Sequence, residues 1–308
     1  RMHRIADALH HCFDHDYRLA LKHMKKAAAP FGGFEGMFFP DYVERYGMET
    51  WQASVTALGH FTQFSSSEFA VRPFIIKDQQ RMMAQMLKWA SHKNEHLRRL
   101  ASEGCRPRLP WAMALPVFKQ DPKPILPILE LLKQDPSEYV RRSVANNLND
   151  MSKDHPDLVL KIAKTWLGTN ADTNWIVKHA CRSLLKAGNT KAMRLSGFAD
   201  PSAVTVSQLK THTKSVTIGD KIRFSCHIDG PKNKSMRLEF AIDYLKKNGS
   251  HSRKVFKISE TALSGTTKVI DKRHSFKQLT TRVHYAGQHH VHILVNGIVK
   301  ASCSFMLE

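Results

Sequence analysis

The run His96-Leu97-Arg98-Arg99-Leu100-Ala101 returns as Tyr139-Val140-Arg141-Arg142-Ser143-Val144, and again as Trp175-Ile176-Val177-Lys178-His179-Ala180. The offsets are 43 and 36 residues. Each copy carries apolar residues at helical spacing beside a basic one. A helical unit of about 40 residues cannot bury its apolar face alone, so such units stack and build a concave wall. The repeat predicts a HEAT-like α-solenoid. Basic residues at one phase of successive repeats line up in space. Arg99, Arg142 and Lys178 form the expected ladder, with Arg98 and Arg141 beside it. Spaced cations on a curved wall suit a phosphate backbone. The competing reading has each Arg pairing with an acid of the next repeat to hold the stack.

Outward from these segments, residues 1–200 keep a helical pattern. It is clear in Arg81–Ser91, Leu126–Lys133, Tyr139–Asp150, Leu158–Leu167 and Trp175–Ala187. Gln134-Asp135-Pro136-Ser137 and Asp154-His155-Pro156-Asp157 read as helix starts. After Asp200-Pro201 the pattern becomes alternation, as in Ile222, Phe224, Cys226 and Ile228, or Leu238, Phe240, Ile242 and Tyr244. Asn296-Gly297 joins two such runs and signals a type I′ hairpin, which needs two residues at positive φ. About seven short strands predict an immunoglobulin-like β-sandwich. The expected chain is multidomain: an all-α HEAT-like α-solenoid over 1–200, then an all-β immunoglobulin-like sandwich over 201–308.

The charge bears on partners. The 308 residues hold 47 Lys plus Arg against 27 Asp plus Glu, a net charge of +20, with 18 His besides. Such a charge points to an acidic macromolecule, nucleic acid first. Hydrophobic residues make up 42%, which excludes a disordered chain. No stretch has the roughly 18 apolar residues of a membrane helix, and no signal peptide is visible. The expected location is the bacterial cytosol or nucleoid. Residues 201–308 carry 18 Lys plus Arg against 7 Asp plus Glu, net +11; residues 1–200 carry 29 against 20, net +9. The smaller half is the more basic, as a binding module would be.

Cys12, Cys105, Cys181, Cys226 and Cys303 are odd in number and widely spaced, so neither a disulfide framework nor a zinc site is expected. Cys226 and Cys303 both point inward on the alternating pattern, so a bridge between them is geometrically open. All five Trp lie in the first 200 residues. Trp89 and Trp166 fall on apolar stripes and read as core. Trp111 follows the basic run Arg106-Pro107-Arg108-Leu109-Pro110, and Trp175 opens the third repeat beside Lys178. Either indole can meet a cationic base by cation–π contact, or else simply pack. In the sandwich, Lys232-Asn233-Lys234, Lys246-Lys247-Asn248-Gly249, Lys272-Arg273-His274 and Gln288-His289-His290 read as loops that could reach DNA. His289 and His290 have no ligand-spaced acid or Cys nearby, so no metal is expected there.

Three segments carry a resemblance. They are Ser65-Ser66-Ser67-Glu68-Phe69-Ala70-Val71-Arg72-Pro73-Phe74, the run from Leu97 through Ala101-Ser102-Glu103-Gly104-Cys105-Arg106-Pro107-Arg108-Leu109-Pro110 to Trp111, and Val140 through Ala145-Asn146-Asn147-Leu148-Asn149-Asp150. Together they resemble the AlkC-type DNA alkylation-repair glycosylases, relatives of the AlkD type, over roughly residues 40–195. Some members carry a C-terminal immunoglobulin-like domain. The resemblance implies base excision repair: hydrolysis of the N-glycosidic bond of N3-alkylated bases, chiefly 3-methyladenine and 3-methylcytosine, in duplex DNA. It also implies cleavage without the deep pocket that most base-flipping glycosylases use.

That chemistry asks for little. N3-alkylation makes the base cationic and a good leaving group. A carboxylate can then stabilise the sugar cation and position a water. The resemblance puts this carboxylate at Glu103. Sequence alone does not separate Glu103 from Asp150, or from an ion pair with Arg106, Arg108 or Arg142. No metal or organic cofactor is required for the hydrolysis. Expected DNA contacts are Arg72, Arg98, Arg99, Arg106, Arg108, Trp111, Arg141, Arg142, Asn146, Trp175, Lys178 and Arg182, with Lys246, Lys247, His289 and His290 from a sandwich closing on the duplex. The partner is duplex DNA with alkylated bases; a monomer and no membrane are expected. The alternatives are a non-catalytic nucleic-acid-binding solenoid and a protein-interaction scaffold.

Overall fold

The structure, a computed structural model, describes residues 1–265, 267–278, 280 and 283–308. The chain divides into two compact units, Arg1–Arg182 and Ser183–Glu308. That division falls earlier than the change of pattern near residue 200.

The first unit holds α1 (Met2–Cys12), α2 (Tyr17–Ala27), α3 (Phe38–Tyr46), α4 (Trp51–Phe61), α5 (Val71–Lys77) and α6 (Gln79–Ala90). Next come α7 (Glu95–Glu103), α8 (Pro116–Gln120), α9 (Leu126–Leu132), α10 (Glu138–Met151), α11 (Pro156–Trp166) and α12 (Ala171–Ala180). The three repeat copies lie on α7, α10 and α12. α10 packs between the other two, while α6, α9 and α11 back them. Sequence explains these helices locally. Asn94 and Asn170 cap α7 and α12 through their side chains, and Glu95, Glu138 and Asp172 supply first-turn acids. On α10 the stripe Val140, Val144 and Leu148 is buried, each side chain stabilising by about 1.5–3 kcal/mol relative to exposure. Between α7 and α10, Ser102 bonds Ser143 (Oγ–Oγ 2.7 Å) and Asn147 Nδ2 donates to the Ser102 carbonyl at 2.8 Å. α7 stops at Gly104, where an added Cβ would lie 2.6 Å from Val71 Cγ2, so α5 approaches closely only because this residue is Gly.

Arg98 and Arg141 are corrections to the expected ladder. Arg98 grips the His92 and Lys93 carbonyls and forms a two-point pair with Asp135 at 2.6 and 3.0 Å. Arg141 repeats the arrangement: it holds the Asp135 and Pro136 carbonyls and pairs with Asp172 at 3.0 Å. Each closes the loop before its own helix and reaches an acid of the following repeat. Their guanidiniums are committed to the stack.

Two short helices, α13 and α14, precede the sheets of the second unit: α13 starts the link (Arg182–Lys186, its first residue in the helical unit) and α14 is Thr190–Leu195. The strands are β1 (Thr205–Thr211), β2 (Ser215–Val216), β3 (Lys221–Asp229), β4 (Ser235–Leu245), β5 (His251–Ala262), β6 (Lys268–Ser275), β7 (Gly287–Val295) and β8 (Ile298–Leu307). They form a sheet of order β1-β3-β6 and another of order β2-β8-β7-β4-β5. Ile222, Phe224, Cys226 and Ile228 face Leu238, Phe240, Ile242, Val291 and Ile293 in one core, as the alternation predicted. Asn296 (φ 50°) and Gly297 (φ 77°) make the hairpin between β7 and β8. Cys226 and Cys303 are both free thiols, and burial pushes Cys226 up to about 11.

Two expected loops are strands. Lys272-Arg273-His274 lies in β6 and Gln288-His289-His290 in β7. His289 is wholly buried: its Nε2 lies 3.3 Å from the Leu245 amide, and its Nδ1 is 3.1 Å from the Gly287 carbonyl. It is a core histidine and not a DNA contact. His290 is half-buried beside His251, with ring centroids 5.2 Å apart. Lys246 and Lys247 do stand exposed on the turn between β4 and β5.

Candidate active site

Corresponding faces of α7 and α10 each begin with an aromatic ring followed by an arginine, and then diverge. Successive turns of α7 present His96, Arg99, Glu103 and then, past its end, Arg106. Those of α10 present Tyr139, Arg142, Asn146 and Asp150. The first four of these border a cleft of about 420 Å³, closed by Phe34, Ser66, Glu68, Trp111 and Tyr139 among others.

Glu103 reaches this cleft with only 5% exposure. Arg106 NH1 donates to its Oε1 at 2.6 Å, and Arg99 NH2 lies 3.5 Å from the same oxygen. Arg106 Nε donates to Asp150 Oδ2 at 2.9 Å, so one guanidinium joins the two expected carboxylates. Burial works against the Arg106 charge, but Glu103 and Asp150 outweigh it and hold the guanidinium above its usual value. Asp150 is not among the cleft-lining residues. It stands behind Arg106, with Lys153 at 3.6 Å, and reaches the cleft only through that residue. Arg106 itself, expected to touch DNA, is 7% exposed and belongs to this carboxylate network.

Arg99 forms the other half. It pairs with Glu68, donates to Ser66 Oγ at 2.9 Å, and lies 5.0 Å from the Tyr139 ring centre. Glu68 thus joins Glu103 as a second cleft carboxylate. Burial raises the Tyr139 pKa, and Arg99 opposes the rise. Glu68, His96 and Tyr139 were missed as site residues, although all three stand in the quoted segments. His96 and Tyr139 occupy the same repeat position as Trp175, so the segments held an aromatic row beside the cationic one.

Trp111 is 89% exposed and has φ +65°, a strained backbone for a bulky side chain. Its loop is tied down by Arg72, which corrects another expectation. Arg72 is wholly buried; Nε donates to the Met113 carbonyl at 2.6 Å and NH1 to the Gly104 carbonyl at 2.9 Å. Burial lowers its pKa to about 10. Arg72 brackets the Trp111 loop to the end of α7 and has no surface to offer DNA.

The remaining expected contacts are spread out. Arg108 pairs with Asp154 at 2.6 Å outside the cleft lining, and Arg142 is exposed with Glu138 at 2.6 Å. On α12, Trp175 stacks on His179 at 5.0 Å and 7°. His179 Nε2 and Arg182 NH2 both reach Asn146 Oδ1, at 3.2 and 2.9 Å. Burial, aided by Arg182 and Arg142, pushes His179 down to about 4, so this imidazole is neutral near pH 7. Lys178 is exposed on the same helix. Trp89 and Trp166 are core, at 6% and 3% exposure.

A helical unit with a carboxylate-bearing cleft, followed by a basic sandwich, is matched by two family models. The DNA alkylation repair enzyme model matches residues 61–184. The model of the C-terminal Ig-like domain of the uncharacterised protein YhaZ matches residues 205–308. The uncharacterised protein YhaZ of Bacillus subtilis (strain 168) is 48% identical over the whole chain, covering 86% of its own length. The structure of the Pseudomonas fluorescens alkylpurine DNA glycosylase AlkC, bound to DNA containing an abasic-site analogue, is 41% identical with a TM-score of 0.96. That match covers 100% of this chain and 87% of the other. The chain belongs to the DNA alkylation repair enzyme family, in the AlkC branch that ends in an immunoglobulin-like domain. No helix among the described residues is long and apolar enough to cross a membrane.

Proposed function

We propose that the chain is a DNA glycosylase that hydrolyses the N-glycosidic bond of cationic N3-alkylated bases, 3-methyladenine and 3-methylcytosine, in duplex DNA. The observation that carries this reading is Glu103, a nearly buried carboxylate opening into a cleft with exposed aromatic walls. Both of its guanidinium contacts land on Oε1. Oε2 is then the oxygen to address a water and the sugar. As the C–N bond lengthens, its electron pair leaves with the base, which departs neutral. Positive charge passes to the deoxyribose, where the Glu103 carboxylate stabilises it. Water adds at C1′ and its proton passes through Glu103 to solvent.

Arg106 and Asp150 act as positioning residues, since they fix the carboxylate without reaching the cleft centre. Trp111 and Tyr139 offer ring faces, which favour a charged lesion over a neutral base. Arg142 and Lys178 supply phosphate contacts on the helical face, and Lys246 and Lys247 supply them on the sandwich. The likeness to AlkC, whose structure holds DNA, supports DNA as the partner. Incubating the protein with methylated duplex DNA and separating the released bases by chromatography tests the proposal. Both 3-methyladenine and 3-methylcytosine are expected. Release of neither, with salt-sensitive duplex binding retained, favours a catalytically silent binding solenoid instead.

A further inference from the structure

Among the described residues, the two most exposed large apolar side chains are Trp111 and Phe34, at 89% and 75%. Single exposed apolar residues are ordinary on a protein surface. These two stand apart because both line the cleft into which Glu103 opens. They arrive on separate loops. Trp111 follows α7, while Phe34 lies between α2 and α3 and precedes all three segments that carry the family resemblance. Aromatic rings left in water at the rim of a carboxylate-bearing cleft mark a contact with a ligand.

The loop is held on both sides of Phe34. Before it, the Phe31 amide donates to the Ala28 carbonyl at 3.0 Å, and the Phe31 ring meets Phe38 and Phe39 edge-on at 5.7 and 5.6 Å. Ser65 Oγ donates to the Gly33 carbonyl at 2.6 Å. After it, Gly36 fits so closely that an added Cβ would lie 2.6 Å from the Phe31 carbonyl oxygen and 2.9 Å from Ser65 Cβ. Ser65 adjoins Ser66, which with Glu68 meets Arg99 in the cleft. The Phe34 ring is therefore presented from an anchored backbone, and binding has little of the loop left to order. A phenyl group has no donor or acceptor and does not read a base edge by hydrogen bonds. It offers a face, which attracts a cation over a neutral base. That attraction acts on the bound lesion. It fades during reaction, because the departing base becomes neutral while the sugar takes the charge.

We propose that Phe34 is a specificity residue that touches the lesion: its ring packs against the cationic alkylated base at the Glu103 cleft, from a loop other than that of Trp111. This rests on the glycosylase reading above. The test compares the full chain with its Phe34→Leu and Phe34→Tyr variants. Single-turnover release of 3-methyladenine is followed across a protein titration, and affinity for an undamaged duplex is measured by fluorescence anisotropy. Thermal melting checks the fold, which substitution at so exposed a position should leave intact. Leu keeps the apolar bulk and removes the ring face. Phe34→Leu should raise the half-saturating protein concentration by about threefold to thirtyfold. Its maximal rate and its affinity for undamaged duplex should stay within about twofold of the parent. Phe34→Tyr keeps a ring face and should match the parent in all three quantities within about twofold. A folded Phe34→Leu variant with the parent's half-saturation overturns the proposal. So does a Phe34→Tyr variant that falls as far as Phe34→Leu, since bulk or chemistry other than the ring face then decides. Equal weakening on undamaged duplex also overturns it, because the ring then serves the duplex and not the lesion. A parent that releases no base overturns the glycosylase reading, and this inference with it.

Discussion

Arg72 sits wholly inside the helical unit, and what it holds is two backbone carbonyls, those of Gly104 and Met113. Its sequence context, a basic residue in a segment of the repair-family pattern, suggested a DNA contact. Side-chain type alone does not reveal burial, because the carbonyls it meets are 32 and 41 residues away. Arg72→Met should lower unfolding stability by about 2–3 kcal/mol, since two buried acceptors lose their donor. Chemical denaturation measures this, and the DNA salt slope should not move. A normal stability with a flatter slope would restore Arg72 to the DNA surface. Glu103 was more legible, because the matched run Arg98–Trp111 isolates it. Its actual partners were less so: Arg106 fell within the expected alternatives, but Arg99 did not. His289 shows the limit most plainly, since its Leu245 and Gly287 backbone partners follow from sheet register alone.

At the scale of elements, the repeat phase was readable and the job of each cation was not. Apolar periodicity set α7, α10 and α12, yet neighbouring arginines of one pair divide their work: Arg98 and Arg141 brace the stack, while Arg99 enters the cleft. A double-mutant cycle on Arg98 and Asp135 should give a coupling of about 1–3 kcal/mol, as expected for a sheltered two-point pair. Zero coupling in thermal or chemical unfolding would remove the brace. The stretch Trp175–Ala187 read as one helix but breaks at Cys181 into α12 and α13. No Pro or Gly marks that break, so periodicity ran through it. In the sandwich, Lys272-Arg273-His274 resembled a loop because most positions of β6 meet water, and Gln288-His289-His290 did because polar residue types do not reveal that His289 is buried. The hairpin was fully legible. At Gly297 an added Cβ would lie 2.2 Å from Gly188 Cα, so Gly297→Ala should destabilise the second unit by about 2 kcal/mol or more, read by its melting temperature.

For the whole molecule, the net charge of +20 predicts duplex binding that weakens steeply with added salt. It also sets a direction for pH. Burial depresses the pKa of His179 to about 4, and burial likewise lowers His289 and His292. These imidazoles bind protons less readily when folded than when unfolded, where they take them up below about pH 6.5. Their contribution to stability is therefore complete above that pH and falls as the pH drops toward 4. Melting temperature should decline between pH 7 and 5; a rise over that window would contradict the burial assigned to them. The central claim is narrower, that the Glu103 carboxylate stabilises the sugar cation. Single-turnover release of 3-methyladenine by Glu103→Gln, at protein concentrations that saturate the DNA, measures it most directly. The account predicts a rate about a hundredfold to a thousandfold below the parent, with duplex affinity kept within a few-fold. A variant that keeps the parent's rate would contradict it.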